Sequence, residues 1–509
     1  MTVIDSKETR IIDEYAQKTL KVDTKTLMGR VGAFVADEIK KQLSGKGSVL
    51  FLAGSGNNGG DAYAAACALI GMKKNAAVID VFEKGQTSEE GKHFLAEYER
   101  LAEKAVYTPK DLPILLKTAS VIVDAVFGCG FHGTLPDTVQ SLFEACNALP
   151  LKRFSIDLPS GVDGTTGAVS SGTFCADVTL SLCLPKRGIF LAPAREYCGE
   201  IRHSDIGLDT EHLISHFGYR EEAVDEATVK KMLPSRKQNS SKGDFGKALL
   251  LCGSDAYPGA AMLACEAASR TGAGYTVLLA PKCVTSAALL RLPSLVCDAT
   301  EDKDRKEKLS TWKKRSPAVL LIGCGCGVSE RLRDDVYALL ETEGCPLILD
   351  ADALNSLALL REESTARLAA ARRDVLLTPH PLEFSRLSGI PVDEVQRDRY
   401  SALIKYQEKC KVNITLKGFC TTTVTKREQL YINTSGTSAL AKAGSGDVLA
   451  GAIAGLVATG MSLSDAAVCG VYLHGKAGES LASRFSSFGI LPHELPKAIA
   501  AELSSLEGR

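Results

Sequence analysis

Short apolar runs alternate with stretches of helical periodicity along the whole chain. Residues 11–19 and 27–43 set apolar side chains three and four apart, with a break at 21–25, and so predict two amphipathic helices. Residues 48–53 (SVLFLA) are apolar without alternation, the pattern of a strand buried on both faces of a parallel sheet. The glycine-rich stretch Gly54-Ser-Gly-Asn-Asn-Gly-Gly-Asp61 then reads as a loop before an alanine-rich helix over 62–70. The strand pattern returns at 77–82, 120–127, 153–157 and 178–184. In the second half it recurs at 247–252, 275–280, 318–322, 346–350, 375–378, 413–417 and 420–425, with an alanine-rich helix ending near 271. Strands alternating with helices predict an α/β protein of two three-layer α/β/α domains, each a parallel sheet covered on both faces.

Between the two series, residues 205–227 are mixed and charged with no strong strand, and 237–242 are polar. The boundary is expected near 215–230, before a helix around 226–232, which gives domains 1–215 and 226–509. A chain of 509 residues is more than one hydrophobic core usually covers.

Composition removes several function classes. A net charge of -1 offers no electrostatic case for nucleic acid or an anionic membrane surface. Every apolar stretch is interrupted by charges or glycines before it reaches bilayer length, and the N-terminal residues carry no apolar signal core. The sixteen cysteines are scattered singly apart from Cys324 and Cys326, with no CxxC pair, and there are eight histidines. A zinc site or disulfide framework is not expected, and free thiols suit a reducing cytoplasm.

The chemistry collects in loops that follow strands. Gly54-x-Gly56-x-x-Gly59 matches the dinucleotide fingerprint, with Asp80 about 20 residues on, where a ribose-binding acid is expected. Asn57, Asn58 and Asp61 argue against that reading, because they crowd with polar groups a loop whose backbone must approach a pyrophosphate. Asp124 and Asp157 end predicted strands, at the sheet edge where such folds bind ligands. Asn58, Asp124 and Ser160 offer hard oxygens that can converge on a cation such as potassium. Asp157, ahead of Pro159 and Gly161, sits on a sharp loop and can face a substrate; alternatively both carboxylates cap the helices that follow.

In AGSGDVLAG (443–451), Gly444 and Gly446 flank Ser445 ahead of Asp447 and an apolar helix over 448–456. A glycine turn opening a helix presents unpaired amides and the positive end of the helix dipole, a site suited to phosphate. Asp447 would repel a phosphate there unless it takes the proton of a hydroxyl that attacks the phosphoryl group. Alternatively it caps the helix. The motif alone leaves both readings open.

NNGGD, DAVFGCG and SIDLPSGVDG, in that order, resemble the NAD(P)H-hydrate epimerase domain over most of residues 10–210. The resemblance implies a Rossmann-like fold. It implies that Asn57, Asn58, Gly59, Gly60 and Asp61 contact the hydrated nucleotide, together with Gly128, Cys129, Gly130, Phe131, His132, Gly133 and Thr134. It also implies that Asn58, Asp124 and Ser160 bind potassium and that Asp157 is the acid–base residue.

The second half is similar to ribokinase-like folds, most specifically to ADP/ATP-dependent NAD(P)H-hydrate dehydratases, over about 230–500. The carriers are GCGCG (323–327), DADALN (350–355), TPHPLE (378–383), LKG (416–418) and GSGDVLAG (444–451). The resemblance implies that Gly327 and His380 contact the hydrate, and that Lys417, Gly418, Phe419, Cys420, Thr421 and Gly446 contact ADP or ATP. Asp447 would meet the reacting hydroxyl, and magnesium would accompany the nucleotide, with Asn355 and Glu383 as candidates for its outer sphere. The chain departs from the family at Asn433-Thr-Ser-Gly-Thr-Ser-Ala-Leu, where an NPGMA-like segment is usual, and at Cys324 and Cys326, which read as filler. His380 has a second reading, a loop histidine packed between prolines.

The expected protein is a bifunctional repair enzyme, isomerase and lyase, for hydrated NADH and NADPH. It is expected in the cytoplasm as a homo-oligomer, with no nucleic-acid or membrane partner. The alternative, a small-molecule kinase with an N-terminal nucleotide-binding sensor domain, shares GSGD but releases a stable phosphorylated product. A non-catalytic module in the first half is disfavoured by Asp157 beside Ser160 and Asp124.

Overall fold

The computed structural model describes residues 1–43, 47–102, 106–301 and 303–507. The chain divides into two compact units, one from Thr2 to Glu221 and one from Glu222 to the C-terminus together with Met1.

The first unit is built on six strands: β1 (Ser48–Ala53), β2 (Asn75–Asp80), β3 (Ala119–Ala125), β4 (Lys152–Ile156), β5 (Val178–Leu182) and β6 (Glu200–Ser204). All pair in parallel, in the order β2-β1-β3-β4-β5-β6. The unbroken apolar run of β1 feeds two cores. Val49, Phe51 and Ala53 pack with the helices Thr24–Lys40 and Asn57–Gly71, while Leu50 and Leu52 pack with Phe131, Phe143 and Phe174. Each such leucine or phenylalanine contributes about 1.5–3 kcal/mol on burial. From β1 the chain goes first to β2 on one side and later to β3 on the other. The carboxyl ends of β1 and β3 therefore flank a crevice at a topological switch point.

The helix expected over 62–70 begins five residues earlier, at Asn57, with Gly56 as its N-cap. NNGGD is thus the first helical turn rather than a loop. Gly59 permits this, because a Cβ on it would lie 1.8 Å from the Gly54 carbonyl oxygen.

The second unit carries ten strands: β7 (Glu222–Val224), β8 (Lys247–Leu251), β9 (Tyr275–Ala280), β10 (Val296–Ala299), β11 (Val319–Ile322), β12 (Leu347–Leu349), β13 (Val375–Leu377), β14 (Asn413–Leu416), β15 (Thr422–Val424) and β16 (Leu430–Asn433). Their order is β10-β9-β8-β11-β12-β13-β14-β15-β16-β7. The pairs β14–β15 and β15–β16 are antiparallel and the others parallel. The switch point lies between β8 and β11. The apolar helix Ser445–Ala458 packs against the alanine-rich helix Pro258–Arg270 in a single core.

Four strands were not expected from the sequence: β6, β7, β10 and β16. β6 and β10 are sheet edges with half-exposed side chains, so neither presents an apolar run. β7 is a three-residue edge strand within the segment read as strandless, which also holds the helix Thr210–Phe217. β16 is four residues following a polar turn. No helix among the described residues is long and apolar enough to cross a membrane, and all sixteen cysteines are free.

Candidate active sites

A cavity of about 540 Å³ opens at the β1/β3 switch point. The first turn of Asn57–Gly71, the loop after β3, the end of β4 and the helix Ser6–Lys18 supply its walls. Asp157, just past β4, is buried and holds φ +69°, a strained backbone for a residue with a Cβ. Lys186, only 2% exposed, places Nζ 2.6 Å from Asp157 Oδ1 and donates to the Leu182 carbonyl at 3.0 Å. The ion pair is not aligned as a hydrogen bond, and the buried Asp157 Oδ1 has no hydrogen-bond partner among the described residues.

Two more carboxyls line the same cavity. Burial, then Asp157 and Asp13, push Asp61 well above the usual carboxylate range. Asp13, open to the cavity, is pushed up to about 6 by its enclosed position and by Asp157, with Lys186 opposing. Burial works against the Lys186 ammonium, yet Asp157 holds it above its ordinary value.

Beside the cavity, Asp124 ties the strand ends together. It accepts from the Ser160 hydroxyl (2.6 Å) and amide (2.7 Å), from the Ser155 hydroxyl (3.1 Å) and from the Val126 amide (3.2 Å). Asn58 Nδ2 donates to the Phe127 carbonyl at 3.0 Å, and Ser160 Oγ lies 3.2 Å from the same oxygen. Asn58 and Ser160 therefore meet at one backbone carbonyl, and Asp124 joins them through Ser160; the oxygens these side chains own, one carboxylate among them, are of the type that suits a hard monovalent cation. Burial pushes Asp124 up to about 6, with the Ser160 bonds opposing. Neither Asp124 nor Asp157 caps a helix. Asp80 accepts from the amides of Phe82 (3.1 Å) and Gly85 (2.6 Å), so it braces its own loop.

In the second unit, the Gly253 amide donates to the Cys324 carbonyl (2.8 Å) across the β8/β11 switch point. Cys324 Sγ and carboxylate oxygens of Asp350 and Asp447 all lie within 4.8 Å of one another. Cys324 is therefore a wall of the reactive centre and not filler. Asp350 is buried, accepts from Thr378 Oγ1 (2.7 Å) and pairs with Lys417 Nζ (2.7 Å), which also lies 3.9 Å from Glu383. Burial, then Asp350, push Asp447 up to about 6, with Lys417 and the Cys324 thiol opposing. Gly444, at φ +97°, is the N-cap of Ser445–Ala458 and no side chain caps the helix, which removes the capping role for Asp447. The first-turn amides of that helix, including Gly446, are then available to an anion. His474, buried and pushed down to about 4 by burial, meets Ser445 Oγ at 3.1 Å and steadies the turn in its neutral form.

Asn57, Asn58, Asp61, Gly128, Cys129, Gly130, Phe131 and Asp157 line the first cavity. Gly59, Gly60, His132, Gly133 and Thr134 do not; His132 is exposed and pairs with Asp163 at 2.7 Å. Lys417, Gly446 and Asp447 converge, since a Cβ on Gly446 would meet Lys417 Nζ at 3.4 Å. The Gly327 amide donates to Asp352 at 2.8 Å. His380 is no mere loop residue: its Nδ1 caps the helix Pro381–Ser388 and Glu383 returns to its amide. Thr421 Oγ1 closes the turn on Gly418 O (2.9 Å), Cys420 is buried and Phe419 is exposed.

The magnesium candidates do not fit. Asn355 Oδ1 is taken by Arg386 (2.8 Å), and Glu383 is committed to the His380 amide and Lys417. Sequence reasoning missed Asp13, Lys186 and His474 as parts of the two sites, and marked Asp350 only as a member of the DADALN loop. Lys186 and Asp350 follow strands, a signal already used for Asp124 and Asp157. Asp13 reads as one more polar position on an amphipathic helix, and His474 as one polar residue in an apolar one.

Comparison with known proteins covers both units. The family model described as NAD(P)H-hydrate dehydratase matches residues 248–501, and the one described as YjeF-related protein N-terminus matches 24–188. The bifunctional NAD(P)H-hydrate repair enzyme Nnr of Thermofilum pendens is 32% identical, over 98% of this chain and 97% of that protein. That of Coxiella burnetii is 34% identical, over 87% of each. The crystal structure of the ADP/ATP-dependent NAD(P)H-hydrate dehydratase from Bacillus subtilis, co-crystallised with ATP/Mg2+, aligns with 56% of this chain and 99% of that one. The TM-score is 0.50 and the identity 32%.

Proposed function

Because the chain belongs to the family of bifunctional NAD(P)H-hydrate repair enzymes, we propose that its two switch-point sites carry the family's two half-reactions. The protein is an NAD(P)H-hydrate epimerase in its N-terminal part and an ADP/ATP-dependent dehydratase in its C-terminal part. Relatives of that kind over nearly the whole chain leave the vitamin or sugar kinase reading without support. The observation that carries the site assignment is Asp447: it is uncapped, pushed up to about 6, and placed in the first turn of a helix whose amides suit a phosphoryl group.

In the dehydratase, Asp447 takes the C6 hydroxyl proton as that oxygen attacks the terminal phosphorus of ADP or ATP. The first-turn amide at Gly446 holds the moving phosphoryl, the Ser445 amide being bonded to the Lys442 carbonyl (3.2 Å); one such donor is worth about 3 kcal/mol. Phosphate then leaves C6 with the bonding pair, and loss of the C5 proton restores the dihydropyridine. Lys417 pairs with Asp350 and so sets the charge felt by Asp447. Magnesium would enter with the nucleotide and neutralise phosphate charge, since the Asn355 carboxamide oxygen is taken by Arg386 and the Glu383 carboxylate by the His380 amide and Lys417.

In the epimerase, Asp157 exchanges protons at the C6 oxygen, with its carboxylate and backbone held by Lys186 and the loop after β4. Asn58, Asp124 and Ser160 would hold potassium, which would supply a fixed positive charge at the strand ends. Sixteen free thiols support a cytoplasmic setting. The test supplies acid-aged NADH with ADP or ATP to the full chain and follows the return of reduced-nicotinamide absorbance. Asp447→Asn should abolish nucleotide-driven recovery and leave epimer exchange intact; Asp157→Ala should do the reverse. Full dehydration by Asp447→Asn would overturn the phosphorylation mechanism.

A further inference from the structure

We propose that Asp13, on the helix Ser6–Lys18, is a second catalytic carboxyl of the epimerase site, exchanging a proton with the C6 oxygen on the ring face away from Asp157. The proposal rests on the epimerase reading above and deepens it. Inversion at C6 asks for two proton events on opposite faces: the departing oxygen must gain a proton, and the arriving water must lose one. Asp157 is held by a buried ion pair and a strained φ of +69°, so it cannot swing between faces. A second group on another wall is required.

The titratable groups facing Asp13 narrow the choice. Burial pushes the thiols of Cys129 and Cys183 up to about 11, so both keep their protons at neutral pH. Lys186 is raised and engaged with Asp157, and Arg10, on the Asp13 helix, stays charged. Asp61 is raised well above the carboxylate range, chiefly by burial, which makes it a standing donor that keeps its proton. Asp13 opens onto cavity water and titrates near 6, so it both gives and regains a proton.

The step balances. Asp13 protonates the C6 hydroxyl, the C6–O bond breaks with its electron pair, water leaves, and the N1 lone pair forms the N1=C6 iminium. A second water bonds to C6 from the opposite face while Asp157 takes its proton. One proton has passed from Asp13 to Asp157, and nothing is oxidised or reduced. The reverse reaction runs the same path backwards; after a forward turnover Asp13 regains a proton from cavity water and Asp157 returns one to it.

The experiment gives purified R epimer of hydrated NADH to the full chain without nucleotide and follows the S epimer by chromatography. Asp13→Asn should lower kcat at least about 100-fold with KM within about threefold, and should erase the ionisation near 6 from the pH profile of kcat. Dehydration of the S epimer with ADP should be unchanged. Formate should restore part of the rate to Asp13→Ala, as no structural role allows. Should Asp13→Asn not fold, the formate response of Asp13→Ala decides. Parental kcat in Asp13→Asn, a loss confined to KM, a persistent limb near 6, or no response to formate would each overturn the role of Asp13. A parent chain that does not interconvert the epimers would instead overturn the epimerase reading itself.

Discussion

Replacing Asp350 with Asn should move the acidic limit of the dehydratase downward. Asp447 must be ionised to accept the hydroxyl proton, and it titrates near 6. Below that pH the rate should fall about tenfold per unit. Carboxylate oxygens of Asp350 and Asp447 lie within 4.8 Å, which at an effective dielectric of about 20 is a repulsion of about 3.5 kcal/mol. That energy equals about 2.5 pH units. Lys417, 2.7 Å from Asp350, cancels part of it in the parent, so a shift of about one to two units is expected. The substitution also releases the Lys417 charge towards Asp447, which acts in the same direction. The readout is the position of the limb in kcat at saturating nucleotide between about pH 5 and 8; the absolute rate can fall without affecting it. Asp447→Asn is the reference: it should cost about 10²–10⁴-fold, or about 3–5 kcal/mol, and show no acidic limb. An unmoved limb in Asp350→Asn, or a surviving limb in Asp447→Asn, would refute the assignment of the titrating group to Asp447.

Gly451→Ala should destabilise the second unit by about 1–3 kcal/mol, because its Cβ would lie 2.1 Å from the Ala264 carbonyl oxygen on the facing helix; an unchanged denaturant midpoint would argue against that close approach. His474 titrates near 4 when folded, below its ordinary 6.5, so the unfolded chain binds the proton first. Stability is therefore intact above about 6.5 and falls as the pH drops towards 4, by about 2 kcal/mol at pH 5. His474→Gln should abolish that acid-dependent loss in urea titrations at the two pH values. Exchanging potassium for tetramethylammonium, or substituting Asp124→Asn, should slow epimer exchange and spare nucleotide-dependent dehydration; equal epimerisation rates would refute the cation site.

The sequence discloses strands wherever both faces of a sheet are covered, because burial on two sides writes an uninterrupted apolar run. β1 and β9 have the bounds their apolar runs suggest. It hides edges, since β6 and β10 bury only part of their side chains. The NNGGD turn was misread for a related reason: its glycines imitate a loop, and only the contact of Gly59 with Gly54 explains why a helix starts there. Carboxylates at strand ends were visible because topology places strand ends at ligand sites. Their partners were not, because an ion pair such as Asp157–Lys186 joins residues whose proximity is created only by the pairing of β4 with β5.

The two sites use one device with opposite placement. Each has a lysine paired to a strand-end aspartate at about hydrogen-bond distance, the buried Lys186 with Asp157 and the partly buried Lys417 with Asp350. In the first, the lysine holds the carboxylate assigned to the proton exchange, and the role of donor falls to another group lining the cavity. In the second, the lysine holds the neighbour, and Asp447 is left without an ion-pair partner in the first turn of a helix, pushed up by burial and by Asp350. A carboxylate held up in this way is a better base towards a hydroxyl, at the cost of being disarmed by mild acid. The epimerase needs a proton to pass in both directions, and the dehydratase needs one removed just as the phosphoryl bond forms.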